Sequence, residues 1–263
     1  MKSAPEQIED IKKNGYTLDF SKVFDHAFEN YKKIALYAGL ILLVFSVLFA
    51  IIFLVVVVGI FGLDNVSIVK YLKIKPQSLT TEGLIYYISG TAILSAFFSP
   101  FAAGFLKMAD CADRDKEFNV STIFTYYKSK HLSQILLATL VISFISITIS
   151  TSLEIQNLNV VSLLTSTIIS FFTFLTIPLI IFGNLKAFDA IKSSCIIISK
   201  QPLVIFALTI SIAVALIVGV LAFIIGLLFT IPFLYSMTYT IYRSIINYED
   251  EDLIETIGQS DSE

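Results

Sequence analysis

An all-α, polytopic membrane helix bundle, six transmembrane helices in three parallel repeats with an amphipathic helix before each, is the fold class this sequence predicts. Of 263 residues, 56% are hydrophobic and 15% charged, with a mean hydropathy of +0.83. Soluble domains carry about 45–50% apolar and about 25% charged residues. The apolar residues gather into runs of bilayer length, and Lys and Arg gather into the connections on one side of them. Such a composition excludes a secreted disulfide domain, a disordered chain, a nucleic-acid binder and most soluble enzymes.

A hydrocarbon core about 30 Å thick needs roughly 20 apolar residues of helix. Residues 34–61 form the first such run. The second, 84–106, is opened by Thr80, Thr81 and Glu82, which suit a helix N-terminus. Residues 132–151 and 160–182 follow, separated by Glu154, Gln156, Asn157 and Asn159. The last run, 203–242, has 40 residues without a charge; one helix of that length would measure about 60 Å, twice the membrane. It therefore predicts two spans, 203–218 and 221–243, with the turn at Gly219, where glycine accepts a positive φ; Ser211, Ala215 and Gly219 also form a small-xxx-small pattern that suits close helix packing. Residues 1–248 then form one membrane domain. Residues 249–263 hold seven acids and no base and read as a solvated, disordered tail.

Fifteen of the eighteen Lys and Arg fall in the N-terminal segment, the 107–131 and 183–202 connections and the C-terminus, while Lys70, Lys73 and Lys75 fall on the other side. The positive-inside rule places both termini in the cytoplasm, in a multi-pass protein of the cytoplasmic (inner) membrane. The polar first 33 residues predict no cleavable signal peptide.

An amphipathic segment precedes each odd-numbered span. In 18–33, Phe20, Val23, Phe24, Ala27, Phe28 and Tyr31 share a helical face; in 118–130, Val120, Ile123, Phe124 and Tyr127 do; in 185–200, Ile191, Ser194, Cys195 and Ile198 form a weaker copy. Phe24, Phe28, Tyr31, Phe124 and Tyr127 are expected at the membrane interface, with docking of the segments on one another as the open alternative. Each even-numbered span carries one proline, Pro100, Pro178 or Pro232. A proline frees the carbonyl four residues earlier and kinks the helix, so the repeating unit reads as surface helix, ascending span and kinked descending span.

The stretch Gly226-Leu227-Leu228-Phe229-Thr230-Ile231-Pro232, then Tyr239 and Tyr242-Arg243, resembles the closing helix of the glycerophosphoryl diester phosphodiesterase membrane-domain family. Pro100 and Gly104, then Asp113-Arg114 and Ser121-x-x-Phe124, resemble its middle portion, and the likeness covers roughly residues 20–245. The resemblance implies a six-helix bacterial membrane module, which in some relatives is fused to a soluble phosphodiesterase barrel that does the chemistry. Here an acidic tail follows the module, and that activity is not expected to carry over. Similar chains sometimes bear a carotene-oxygenase label; a cleavage enzyme of that kind holds iron with four histidines, and His26 and His131 are the only two in this sequence.

The apolar runs lack the charged side chains that usually mark proton relays, ion sites and voltage sensors. Their polarity lies in hydroxyls. Thr139, Ser143, Ser146 and Ser150 share one face of the third span, and Ser162, Ser166, Ser170, Thr173 and Thr176 one face of the fourth. These stripes read either as close helix packing, the favoured reading, or as a polar seam that conducts a small solute. No catalytic residue, metal site or cofactor-binding motif is found. The expected function is a non-enzymatic membrane scaffold or envelope-organising protein, with a permease or flippase-like carrier for a neutral or lipidic solute as the alternative and a membrane-embedded enzyme third. The expected partners are membrane lipid and other membrane proteins or a second copy, without nucleic acid or metal.

Overall fold

The computed structural model describes residues 2–61, 75–222 and 225–246. The acidic tail and the connection bearing Lys70 and Lys73 lie outside them. The described chain is all-helical: α1 Ala4–Asn14, α2 Phe20–Phe61, α3 Thr81–Asp113, α4 Val120–Phe124, α5 Leu132–Ile155, α6 Asn159–Thr173, α7 Thr176–Ile181, α8 Ala187–Lys200, α9 Pro202–Leu221 and α10 Ile225–Ile245. Six helices, counting α6 and α7 as one, are long and apolar enough to cross a membrane. This is a polytopic helical membrane protein.

Helix ends follow local chemistry. Thr80 caps α3, its hydroxyl accepting the Gly83 N–H at 3.2 Å, with Glu82 in the first turn. In α1, which the sequence reading did not anticipate, the Glu6 carboxylate accepts the Ser3 N–H at 2.9 Å and Pro5 sits in the first turn. Ile8 and Ile11 of α1 are buried, and the helix packs against α8. Just beyond α1, the Tyr16 hydroxyl donates to Ile197 O at 3.0 Å, and burial raises the Tyr16 pKa.

Four expectations change. The first amphipathic segment and the first span are one continuous helix, α2, because no helix breaker separates Phe20 from the apolar run. The segment at 118–130 holds only the five-residue α4, capped by Asn119, and a 3-10 turn over Thr125–Tyr127. The second span does not stop at Leu106 but continues to Asp113, carrying charged residues with it. Gly219 is not the turn: α9 runs through it to Leu221, and α10 starts at Ile225. The glycine instead lets the two helices touch. A Cβ on Gly219 would sit 2.3 Å from Thr230 Oγ1 and 3.1 Å from Gly226 C. Gly219→Ala is therefore expected to lower the thermal midpoint of the detergent-solubilised protein through an overpacking cost of about 1–3 kcal/mol; an unchanged midpoint would show that the contact is loose.

The prolines act on the backbone in different ways. Pro178 follows a break in which α6 ends at Thr173 and α7 begins at Thr176, spanning the Phe174 carbonyl that the proline cannot satisfy. Ser194 of α8 donates to the neighbouring Phe172 O at 2.7 Å. Pro100 and Pro232 lie inside unbroken helices. The carbonyl freed by Pro100 belongs to Ala96 and accepts the Ser99 hydroxyl at 2.7 Å. The one freed by Pro232 belongs to Leu228 and lies 3.0 Å from where a Gly39 Cβ would stand, so α2 approaches α10 closely there.

Burial is uneven along the bundle. In α3, Ala103 to Ala112 are nearly all buried, whereas Ile85, Tyr86, Ile93, Leu94 and Phe97 are exposed; α2 shows the same gradient, with Ala27, Ile34 and Ala38 buried and every residue of 46–56 exposed. The core therefore sits at the end that carries the 107–131 and 183–202 connections. At the other end the apolar side chains face outward, where hydrocarbon is the natural solvent. The first and last of the described spans close the bundle, α2 packing most extensively on α10.

Candidate functional site

At the buried end, α2, α3 and α10 are tied by a polar cluster that begins as a local pattern on α3. Lys107, Asp110 and Arg114 stand at i, i+3 and i+7, so one helical face presents a carboxylate between two cations. The Asp110 side chain is fully buried; Lys107 Nζ lies 2.9 Å from its Oδ2 and Arg114 Nε 2.7 Å from its Oδ1. The Tyr239 hydroxyl of α10 lies 2.9 Å from Asp113 Oδ2 and 3.3 Å from Asp110 Oδ1. It has one proton to donate, and the shorter contact takes it. The other oxygen of Asp113 meets His26 Nε2 of α2.

Further bonds join α2 to the same neighbours. Asn30 Nδ2 donates to Ala109 O at 3.0 Å, Lys33 Nζ to Ala112 O at 3.0 Å and to Asp115 Oδ1 at 2.6 Å, and Ser236 Oγ of α10 to Ala27 O at 2.6 Å. Lys33 thereby satisfies a terminal carbonyl of α3, where a cation also suits the helix dipole. Chemically the cluster is a set of charge-assisted bonds between helices distant in sequence. On its outer side His26 borders a cavity of about 600 Å³ with Thr17, Asp19, Lys22 and Ser244. The sequence reading names His26, Asp113, Arg114 and Tyr239 on other grounds and passes over Lys107, Asp110 and Asn30; the i, i+3, i+7 charge pattern on α3 is the signal that finds Asp110.

The hydroxyl stripes meet at one point. Ser162 Oγ lies 3.1 Å from Ser150 O and 3.2 Å from Glu154 Oε1, near the α5–α6 turn. Ser166 donates to Leu163 O at 3.0 Å and Thr173 to Ile169 O at 2.7 Å, both within their own helix. Thr139, Ser143 and Ser146 are half-buried on α5. Ser150 Oγ and Thr176 Oγ1 are buried without a hydrogen-bond partner among the described residues. Ser170 faces outward into a groove of about 380 Å³ between α6, α9 and α10, lined also by Thr167, Phe206, Thr209, Leu216 and Thr238.

The aromatic residues assigned to the interface pack on the bundle. Phe24, Phe28 and Tyr31 gather around Phe233 of α10, with ring centroids 6.0, 6.5 and 5.5 Å away. Phe124 meets Phe45 at 5.5 Å and Phe101 at 6.0 Å. The Tyr127 hydroxyl donates to Phe97 O at 2.9 Å, and burial raises its pKa. Phe28 and Phe124 remain partly exposed. Neither Cys111 nor Cys195 is in a disulfide, and burial pushes the Cys195 thiol up. Among the described residues no three His, Cys, Asp or Glu are grouped so as to hold a metal ion. Comparison with family models, with curated proteins and with solved structures gives no match.

Proposed function

We propose that the protein is a non-enzymatic scaffold of the cytoplasmic membrane, organising the envelope through contacts with other membrane proteins or with its own copies. The observation that carries this reading is the use made of polar chemistry. Asp110, Asp113, Tyr239, His26, Asn30 and Lys33 are engaged in bonds that lock α2, α3 and α10 together. The exposed outer half of α2, residues 46–56, supplies an apolar wall on which a neighbour can pack. The reading includes three parallel repeats, on the recurring apolar spacing and the prolines of the even-numbered spans, and cytoplasmic termini, on the lysine distribution. It also sets the chain beside the glycerophosphoryl diester phosphodiesterase membrane-domain family, on the motifs around Pro100 and Pro232.

One observation favours a second reading, a carrier for a lipidic solute. The groove between α6, α9 and α10 combines an apolar wall with the hydroxyl-bearing residues Thr167, Ser170, Thr209 and Thr238. Crosslinking in native membranes separates the two. Val47→Cys and Ile51→Cys, made in a chain with Cys111 and Cys195 replaced, should give discrete protein adducts with a bismaleimide if α2 is a scaffold surface. Monomer alone from both positions, together with solute-protected labelling of Thr209→Cys, would overturn the scaffold reading in favour of the carrier.

A further inference from the structure

The bundle has a second polar feature, away from the Asp110 cluster. Between α1 and α8 lies a cavity of about 420 Å³ lined by Ile8, Glu9 and Lys12 of α1, by Lys186 and by Asp189 and Lys192 of α8. Its depth follows from the chain. The fourth span ends at Ile181, and Asn184, in the left-handed region at φ 53°, turns the backbone so that Lys186 and α8 follow at once. The cavity thus begins three residues past the apolar helix, in the zone of lipid headgroups.

We propose that this cavity holds the phosphodiester of an anionic phospholipid. The charges fit one such group. Lys12 Nζ lies 3.7 Å from Glu9, so those two offset each other. Lys186 and Lys192 have no ion-pair partner among the described residues and share the cavity with Asp189. One surplus positive charge remains, equal to the single negative charge of a phosphodiester. Basic pockets of this kind beside membrane helices suit anionic headgroups. A separate feature points to lipid rather than a soluble anion. Phe188 is 63% exposed and stands one helical turn from Lys192, so the face that offers the ammonium also offers a bare aromatic ring. Such a ring belongs in the boundary between headgroups and acyl chains.

The test is native mass spectrometry of the full chain in mild detergent, titrated with phosphatidylglycerol or phosphatidylethanolamine of matched acyl chains. The wild type should retain phosphatidylglycerol in preference to phosphatidylethanolamine. Retention should fall about fivefold for each lysine removed in Lys186→Gln and Lys192→Gln. The control pair Lys32→Gln and Lys128→Gln, carrying the same charge change away from both polar cavities, should bind as wild type does. Both lysines are exposed, so the variants should keep the wild-type helical circular dichroism and thermal midpoint. Equal retention by the Lys186/Lys192 variant, equal loss in the control pair, or no preference between the two lipids would each overturn the proposal. Displacement of phosphatidylglycerol by millimolar glycerol 3-phosphate would reassign the cavity to a soluble phosphate.

Discussion

Asp110→Ala is expected to destabilise the protein by about 3–5 kcal/mol, the range found when one partner of a buried ion pair is removed. The carboxylate is fully buried, and the two cations beside it are largely so, at 18% and 21% side-chain exposure for Lys107 and Arg114. Alanine would leave both without that counter-charge in a site water reaches poorly. Asp110→Asn should lose less, because the amide oxygen keeps an acceptor near Arg114 Nε while giving up the charge. Pairing Asp110→Ala with Lys107→Met should recover part of the loss, since one of the two cations that lose the Asp110 counter-charge goes as well. Helical circular dichroism against temperature in detergent reads all three, the chain having no tryptophan to report by fluorescence. A single-alanine variant within about 1 kcal/mol of wild type, the scale of an exposed pair, would mean that the cluster is ornamental to stability and would remove the observation on which the scaffold reading stands.

The membrane bundle was legible because its cause is local: a helix that crosses hydrocarbon must be apolar over bilayer length, and that shows in any single chain. The Thr80 cap was legible for the same reason. What failed was the use of charge as a boundary. A boundary placed at Lys107 ends the second run at Leu106, yet the helix continues to Asp113 and carries a fully buried carboxylate, Asp110, with it. A charge ends an apolar run only when it must reach water; Asp110 meets its cations one turn before and one turn after. Gly219 carries two readings in the sequence, a turn and one corner of the Ser211, Ala215 and Gly219 packing pattern, and the structure takes the second. Turns and close helix approaches both select glycine, and only the distance from Gly219 to Thr230 and Gly226 decides between them. The Ser3–Glu6 capping signature of α1 is local too, but the charge content of the first residues does not reveal it. The cavity between α1 and α8 could not be read at all, since nothing local says that residues 8–12 and 186–192 come together.

Gly104→Ala should be comparably damaging, and for a reason that involves no charge. A Cβ on Gly104 would stand 2.1 Å from Ile123 O and 2.5 Å from both Ile123 C and Ile123 Cα. Every colliding atom is backbone, so no side chain can rotate away, and α4 would have to leave α3 by an ångström or more. Overpacking usually costs about 1–3 kcal/mol when side chains can adjust, and a rigid backbone partner puts this site at the upper end, near 3 kcal/mol. The shift should also break the Tyr127 hydroxyl bond to Phe97 O and open the ring contacts of Phe124 with Phe45 and Phe101. Gly90 supplies the control on the same helix. A Cβ there meets nothing within 4 Å, and alanine in a helix interior is favoured over glycine by about 1 kcal/mol. Gly90→Ala should therefore raise the thermal midpoint while Gly104→Ala lowers it. Two alanines on one helix moving the midpoint in the same direction would show that propensity, rather than the approach of α4 to α3, governs this part of the bundle.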